Sequence, residues 1–350
     1  MPDPSSPVSQ GYRMPAEWEP HAGTWLAWPH NPETWPGHAI EEVETAYSAI
    51  VSGLIAGEAV HILVKDESAR QRVERKLAAQ ILQSPGNIHF HLIPTNDSWI
   101  RDFGPNFIVR DTGSGKEIAM NKWGFNSWGK KYPWQLDDQS GDRISQALGL
   151  PTFHPGIVLE GGAIDVNGQG TCLTTDSCLL NPSRNGPVTR EEMEQYLKNF
   201  LGVRQVIWLN AGLVGDDTDG HVDNLARFVS RDTIVCAVEE NAADENYAGL
   251  QKLFSDLQGA TGPDGRAFKV IPLPMPGPVI DDGVRLPASY ANFYIGNRTL
   301  LLPTYNHEND DRVRQILQEL FPSKIILPIP CTVLVAGLGG VHCLTQQQPA

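Results

Sequence analysis

The stretch AVHILVKDESARQRVERKLAAQILQSPGNIHFHLIP (59–94) reads as strand, helix and strand in succession. AVHILV (59–64) is a short apolar run, and its β-branched residues suit a strand. Asp66 then offers a helix N-cap, and Val73, Leu77 and Ile81 share one face of a helix over 66–83. IHFHLIP (88–94) returns to an apolar run and ends at a polar loop. Two strands joined by an amphipathic helix are the unit from which α/β folds are built.

Outward from this stretch the pattern recurs. Strand-like runs appear at NFIVR (106–110), QVIWLN (205–210), TIVCAV (233–238), FKVIPLP (268–274), TLLLPT (299–304) and KIILPI (324–329). Helical spacing covers 41–56, 189–201 and 310–320, and Thr189 with Glu192 fits a capping box at the head of the second. The rhythm starts near residues 59, 205 and 268, and is fainter across 106–175 and 324–335. No residue-level repeat accompanies it, so the pattern suggests a cyclic architecture without closing one. No low-complexity linker interrupts the chain, and one α/β domain over residues 1–350 is expected.

Composition narrows the partners. With 41% hydrophobic and 19% charged residues, the 350-residue chain has a globular balance. Its formal net charge of −14 argues against nucleic acid and anionic membranes, both of which select basic patches. The same charge suits a cationic substrate, although it also serves solubility alone. The N-terminal MPDPSSPVSQGYRMPAEWEP lacks a basic start followed by an apolar stretch, so a cytoplasmic location is expected. The five cysteines form no C-x-x-C pair and are expected to be free thiols. Gly113-Ser114-Gly115-Lys116 resembles a phosphate loop but lacks the leading glycine, where Arg110 stands, and Glu117 follows the lysine.

Four polar, glycine-rich clusters follow apolar runs: TNDSWIRDFGP (95–105), LEGGAIDVNGQG (159–170), GDDTDGHVDNLARF (215–228) and AGLGGVHCLTQQQP (336–349). Loops after strands are where a rigid scaffold presents reactive groups. In the first, Asp97 and Asp102 flank Trp99 and Arg101. That is either an Asp–Arg loop network or a carboxylate held against an aromatic wall, able to accept paired hydrogen bonds from a guanidinium. Glu160 precedes a glycine pair, which marks a tight turn or a close ligand approach. In extended chain His221 and Asp223 would share one face, as catalytic groups or as metal ligands. No second histidine lies near them, and the H-x-H pair His89/His91 sits in an apolar strand as packing. Cys343 stands between glycines and a glutamine run, unlike Cys172, Cys178, Cys236 and Cys331, which read as small buried hydrophobes.

Together these clusters resemble the agmatine deiminase family, relatives of the bacterial peptidylarginine deiminases among the guanidino-group-modifying enzymes. The resemblance runs from Met14-Pro15-Ala16-Glu17-Trp18 and Thr24-Trp25-Leu26-Ala27-Trp28-Pro29 through the four clusters to His342-Cys343-Leu344-Thr345. It implies a five-bladed α/β propeller (pentein) with pseudo-fivefold symmetry. It implies hydrolysis of agmatine to N-carbamoylputrescine and ammonia, with no metal and no organic cofactor. By motif, Cys343 is the nucleophile, His221 the acid and then the base, and Glu160 its orienting carboxylate. Asp97 and Asp223 pair with the guanidinium beside Trp99, and Asp217 receives the distal amine. Two positions depart from the family pattern: Asp217 stands where some members have glutamate, and Gly340 where asparagine is frequent.

Competing readings are a deiminase of free or peptidyl arginine, a non-catalytic polyamine binder, and a metallohydrolase using His221, Asp223 and Asp97. Free arginine needs a cation for its α-carboxylate, and Arg101 is the nearby candidate. Beyond a small cationic guanidinium, no nucleic-acid or membrane partner is expected, and a homodimer is left open.

Overall fold

The computed structural model describes residues 5–113 and 115–350. Ser114 of the rejected Gly113–Lys116 stretch, and the first four residues of the N-terminal segment, lie outside the described residues.

One strand arrangement recurs in five small sheets. Strands β1 (His21–Ala27), β2 (Ala59–Val64) and β3 (Ile88–Leu92) run parallel. The next three sheets are β4 (Asn106–Thr112), β5 (Gly115–Asn121) and β6 (Thr152–Phe153); β7 (Ile164–Val166), β8 (Thr171–Thr175) and β9 (Gln205–Leu209); and β10 (Ala226–Ser230), β11 (Thr233–Val238) and β12 (Lys269–Pro274). A separate hairpin, β13 (Ile280–Asp281) with β14 (Val284–Arg285), precedes the last sheet of β15 (Tyr294–Ile295), β16 (Thr299–Thr304) and β17 (Ile325–Pro330). In these four sheets the first two strands are antiparallel and the second and third are parallel. The final strand, β18 (Gln346–Pro349), pairs antiparallel with β1 and gives the first sheet the same order, with β3 as an extra edge.

A parallel pair needs a crossover, and amphipathic helices supply it. Ile40–Leu54 links β1 to β2, Arg190–Leu201 precedes β9, Tyr247–Gln258 precedes β12 and Asn309–Leu320 precedes β17. The capping box at Thr189 and Glu192 is present, and Gly202 ends that helix at φ 72°. Asp66 caps the next-strand helix as the sequence suggests, but Leu77 (φ −96°, ψ 16°) breaks it into Glu67–Lys76 and Ala78–Gln83. The rhythm is also rephased: residues 59 and 205 open the parallel third strands, and 268 directly precedes one, rather than opening repeat units. The opening pairs escaped notice because β7 and β15 are only three and two residues long and wholly buried, which leaves no alternation to read.

His89 and His91 do pack, against His61, whose ring stacks on Trp25 with centroids 4.3 Å apart. Among the described residues no helix is long and apolar enough to cross a membrane.

This pattern positions the site. The segments leading into β4, β7, β10, β15 and β18 carry Asp102, Glu160, His221 with Asp223, Asn292 and Cys343 respectively. Each sheet therefore delivers a polar group from the same point in its path. The cap residues Thr189 and Glu192 before β9 are exposed, so Thr189→Ala should lower stability by about 1 kcal/mol. Urea unfolding checks this, with turnover by the folded enzyme expected to stay unchanged.

Candidate active site

A cavity of about 670 Å³ is lined by Cys343, Asp102, Trp99 and Trp128, and further out by Asp97, Asp217 and Tyr132. Glu33, Asp281 and Asp282 also line it, and His38 Nε2 bonds Asp281 Oδ2 at 3.0 Å. Among the described residues its lining includes no lysine or arginine. Such a cavity favours a cation.

Cys343 is 5% exposed. Its Sγ accepts from Asn292 Nδ2 at 3.2 Å and lies 3.8 Å from Asp223 Oδ2. Burial, then the Asp223 and Asp102 carboxylates, push the thiol well above its usual range, against the Gly340 N–H and the Asn292 amide. This environment favours the thiol, and an arriving cation would favour the thiolate. A side chain at Gly340 would meet Asn292 Oδ1 at 2.5 Å, so the amide beside the nucleophile comes from Asn292. That accounts for glycine at position 340, the second departure from the family pattern.

His221 is fully buried between carboxylates, with Nε2 at 3.4 Å from Glu160 Oε2 and Nδ1 at 3.6 Å from Asp102 Oδ1. Burial alone would lower its pKa, but Asp102, Cys178 and Glu160 raise it well above the ordinary value. The two carboxylates therefore favour the protonated ring. Glu160 is in turn fixed by Arg184 Nε at 2.8 Å, and His221 and Arg184 keep it ionised despite burial. Asp102 accepts from the Trp128 indole at 3.0 Å and from Gly162 N–H at 2.9 Å. Trp128 belongs to a short run with positive φ at Ser127 (53°), Trp128 (53°), Gly129 (99°) and Lys130 (69°).

Asp223 Oδ2 bonds His342 Nδ1 at 2.7 Å, while its buried Oδ1 has no partner. His342 Nε2 reaches Glu17 at 2.8 Å, and Glu17 meets Arg227 at 2.9 Å. Burial opposes ionisation of Glu17, yet Arg227, His342 and Arg101 hold its carboxyl well below the usual range. Asp223 is kept ionised by His342, His221 and Arg227 in the same way.

Of the residues expected from sequence, Cys343, His221, Glu160 and Asp223 come together, and Trp99 walls the cavity under the cysteine loop. Asp97 does not join them. Its carboxylate is taken by Thr34 Oγ1, 3.0 Å from each oxygen, and by Ser98 N–H at 2.7 Å. The carboxylate against His221 is Asp102, because the short helix Ile100–Phe103 turns the chain after Trp99. Asp217 lines the cavity but already meets Lys131 Nζ at 3.2 Å and Tyr132 Oη at 3.0 Å. Arg101 does not line the cavity; it bonds Gln347 at 2.8 Å and the carbonyl of His342 at 3.3 Å, bracing the cysteine loop.

Cys178, read as packing, instead lies 3.4 Å from Glu160 Oε2. Glu160, Cys178 and His221 offer ligand atoms within 4.8 Å of one another. Arg184 on the same carboxylate already supplies the positive charge that a metal would bring. The metal set considered from sequence, His221 with Asp223 and Asp97, is not assembled, since Asp97 is held by Thr34 and Ser98. Glu17, His342, Asn292 and Trp128 were missed. Glu17 and His342 stand in quoted motifs, whereas Asn292 in SYANFY carries no flanking signal.

The glycine pair after Glu160 permits this convergence. A Cβ on Gly162 would come within 2.6 Å of His221 Nδ1, 2.8 Å of Asp102 Oδ1 and 3.1 Å of Asp223 Oδ2. Gly162→Ala should displace all three groups and reduce kcat/KM by about 100-fold or more, as an ångström-scale misplacement does. Steady-state kinetics on a variant of unchanged circular dichroism test this.

The chain matches the family model described as Porphyromonas-type peptidyl-arginine deiminase over residues 13–349. It is 36% identical to an agmatine deiminase of Pseudomonas syringae pv. syringae, covering 99% of this chain and 98% of the relative. A solved structure of the agmatine deiminase of Enterococcus faecalis superposes with TM-score 0.92 at 32% identity, covering 99% and 98% of the two chains. A C. jejuni agmatine deiminase variant with substrate bound gives TM-score 0.86 at 30% identity, covering 97% and 96%. On the match over residues 13–349, the protein belongs to the Porphyromonas-type peptidyl-arginine deiminase family.

Proposed function

We propose that the protein is an agmatine deiminase, a hydrolase that converts agmatine and water to N-carbamoylputrescine and ammonia. The observation that carries this reading is the buried Cys343 thiol on an acidic cavity that holds Asp102, its sulfur 3.8 Å from Oδ2 of Asp223, a carboxylate whose Oδ1 has no partner. Two carboxylates on a guanidinium fix its plane and hold its charge.

Asp102 and Asp223 are the guanidinium partners in this reading, with Asp102 in the role expected of Asp97. The bound cation offsets the carboxylate charge that disfavours the thiolate, so Cys343 loses its proton as substrate arrives. Its sulfur forms a bond to the guanidinium carbon. His221 gives its proton to one departing nitrogen, the C–N bond breaks, and ammonia leaves an amidino-thioether. The now neutral His221, flanked by Asp102 and Glu160, takes a proton from water. The resulting hydroxide attacks the same carbon, the C–S bond breaks, and the proton on the added oxygen passes to the departing sulfur, returning the Cys343 thiol and releasing the ureido product. Neither a metal nor an organic cofactor enters these steps.

The rival substrates differ in charge. Free arginine brings a carboxylate, and Arg101 is turned into the interior, leaving that carboxylate among acidic groups. The reading also includes a five-bladed propeller in one catalytic domain, supported by the five recurring sheets and their equivalent polar contributions. A cytoplasmic setting is supported by the five unpaired cysteines.

Turnover of agmatine, arginine and a blocked arginine peptide tests the assignment, with agmatine expected to lead; preference for the peptide would overturn it. Cys343→Ala should abolish ammonia release, a loss on the order of 10⁴-fold or more, while agmatine still binds by calorimetry. Full activity in that variant would remove the mechanism, and a polyamine binder would show no turnover in the wild type. Because Glu160 helps hold His221 protonated, Glu160→Gln should lower its pKa and move the alkaline limb of kcat/KM toward neutral. A limb that stays in place would separate Glu160 from His221.

A further inference from the structure

Asp97 has no part in the steps above, yet it lines the same cavity as Cys343. Its fixed donors, Thr34 Oγ1 and Ser98 N–H, are neutral. Among the described residues no lysine or arginine pairs with it. His30 acts on it through space, with both ring nitrogens turned to the carbonyls of Trp28 (3.1 Å) and Thr95 (3.0 Å). Behind it stands Asp137, whose Oδ1 accepts from Asn96 N–H at 2.7 Å and Asp97 N–H at 3.2 Å. Burial pushes Asp97 up to about 6 and Asp137 up to about 8, and the Asp97 charge adds to the rise at Asp137. A carboxylate this enclosed, next to a second one and without a lysine or arginine partner, is costly unless a ligand brings the countercharge.

Asp217, expected from sequence to hold the distal amine, is already supplied. Lys131 and Tyr132 both contact it. Tyr132 lies within the field of Asp97 as well as of Asp217, and all three line the one cavity. One has a lysine partner and the other has none.

We propose that Asp97 is the specificity-determining residue that receives the primary ammonium at the tail of a guanidinoalkylamine substrate. This rests on the deiminase reading and adds to it the group that separates agmatine from guanidines without an amine. Thr34 orients the carboxylate, and the cavity wall excludes competing water.

The test compares agmatine with n-butylguanidine, which keeps the guanidinium and the chain but lacks the ammonium. In Asp97→Asn the KM for agmatine should rise by at least about tenfold, the scale of a lost charge-assisted bond. Turnover of n-butylguanidine should remain within about twofold of wild type, which also reports that the variant is folded. Asp217→Asn should change the ratio of the two kcat/KM values less than Asp97→Asn does. Equal loss on both substrates, an unchanged ratio, or a larger effect from Asp217→Asn would overturn the assignment. If the wild type turned over neither guanidine, the deiminase reading itself would fall.

Discussion

Carboxylates carried into an apolar interior keep their charge only beside a cation, and the centre of this fold is arranged around that constraint. Glu17, Asp102, Glu160, Asp165 and Asp223 are all buried there. Arg184 serves Glu160, and Arg227 serves both Glu17 and Asp165. His221 lies between Asp102 and Glu160, and its raised pKa is the local answer to two negative neighbours. The balance stops short at Asp223, whose Oδ1 has no partner and whose Oδ2 lies 3.8 Å from the Cys343 sulfur. A guanidinium would complete the pattern, and in the proposed mechanism one electrostatic deficit serves both binding and activation of the thiol.

Convergence of this kind requires distant stretches of chain to meet within a few ångströms. The repeated sheet supplies the means, because each antiparallel pair begins with a segment that enters from the same centre. Arg101 ties the first of these segments to the last, through the carbonyl of His342 and the side chain of Gln347. It stands in the active-site motif but works as a brace. The pairing of β18 with β1 then fixes the cysteine loop against the opening strand.

Much of this was legible in the sequence. Apolar runs located the longer strands, the Thr189–Glu192 pair located a helix start, and the four polar clusters contained His221, Glu160, Asp223 and the thiol, though not Asn292. What spacing could not resolve was direction. Asp97 and Asp102 share a motif, and only the helical turn at Ile100–Phe103 shows which faces His221. Cys178 looked like its buried siblings because a thiol against a carboxylate has no local signature. Asn292 was invisible for a similar reason, since its role depends on Cys343 arriving 51 positions later in the chain.

The left-handed run at Ser127, Trp128 and Lys130 bears on how this protein could change over generations. Non-glycine residues in that region cost roughly 1–3 kcal/mol each, a large share of the margin by which a domain stays folded. Replacing them with glycine or asparagine would relax the backbone, but the indole that steadies Asp102 would be lost with Trp128. A lineage under selection for heat tolerance would find its easiest gain at the point where activity forbids it. Thermal adaptation in this chain is therefore pushed outward, to helix caps and surface loops remote from the tryptophan.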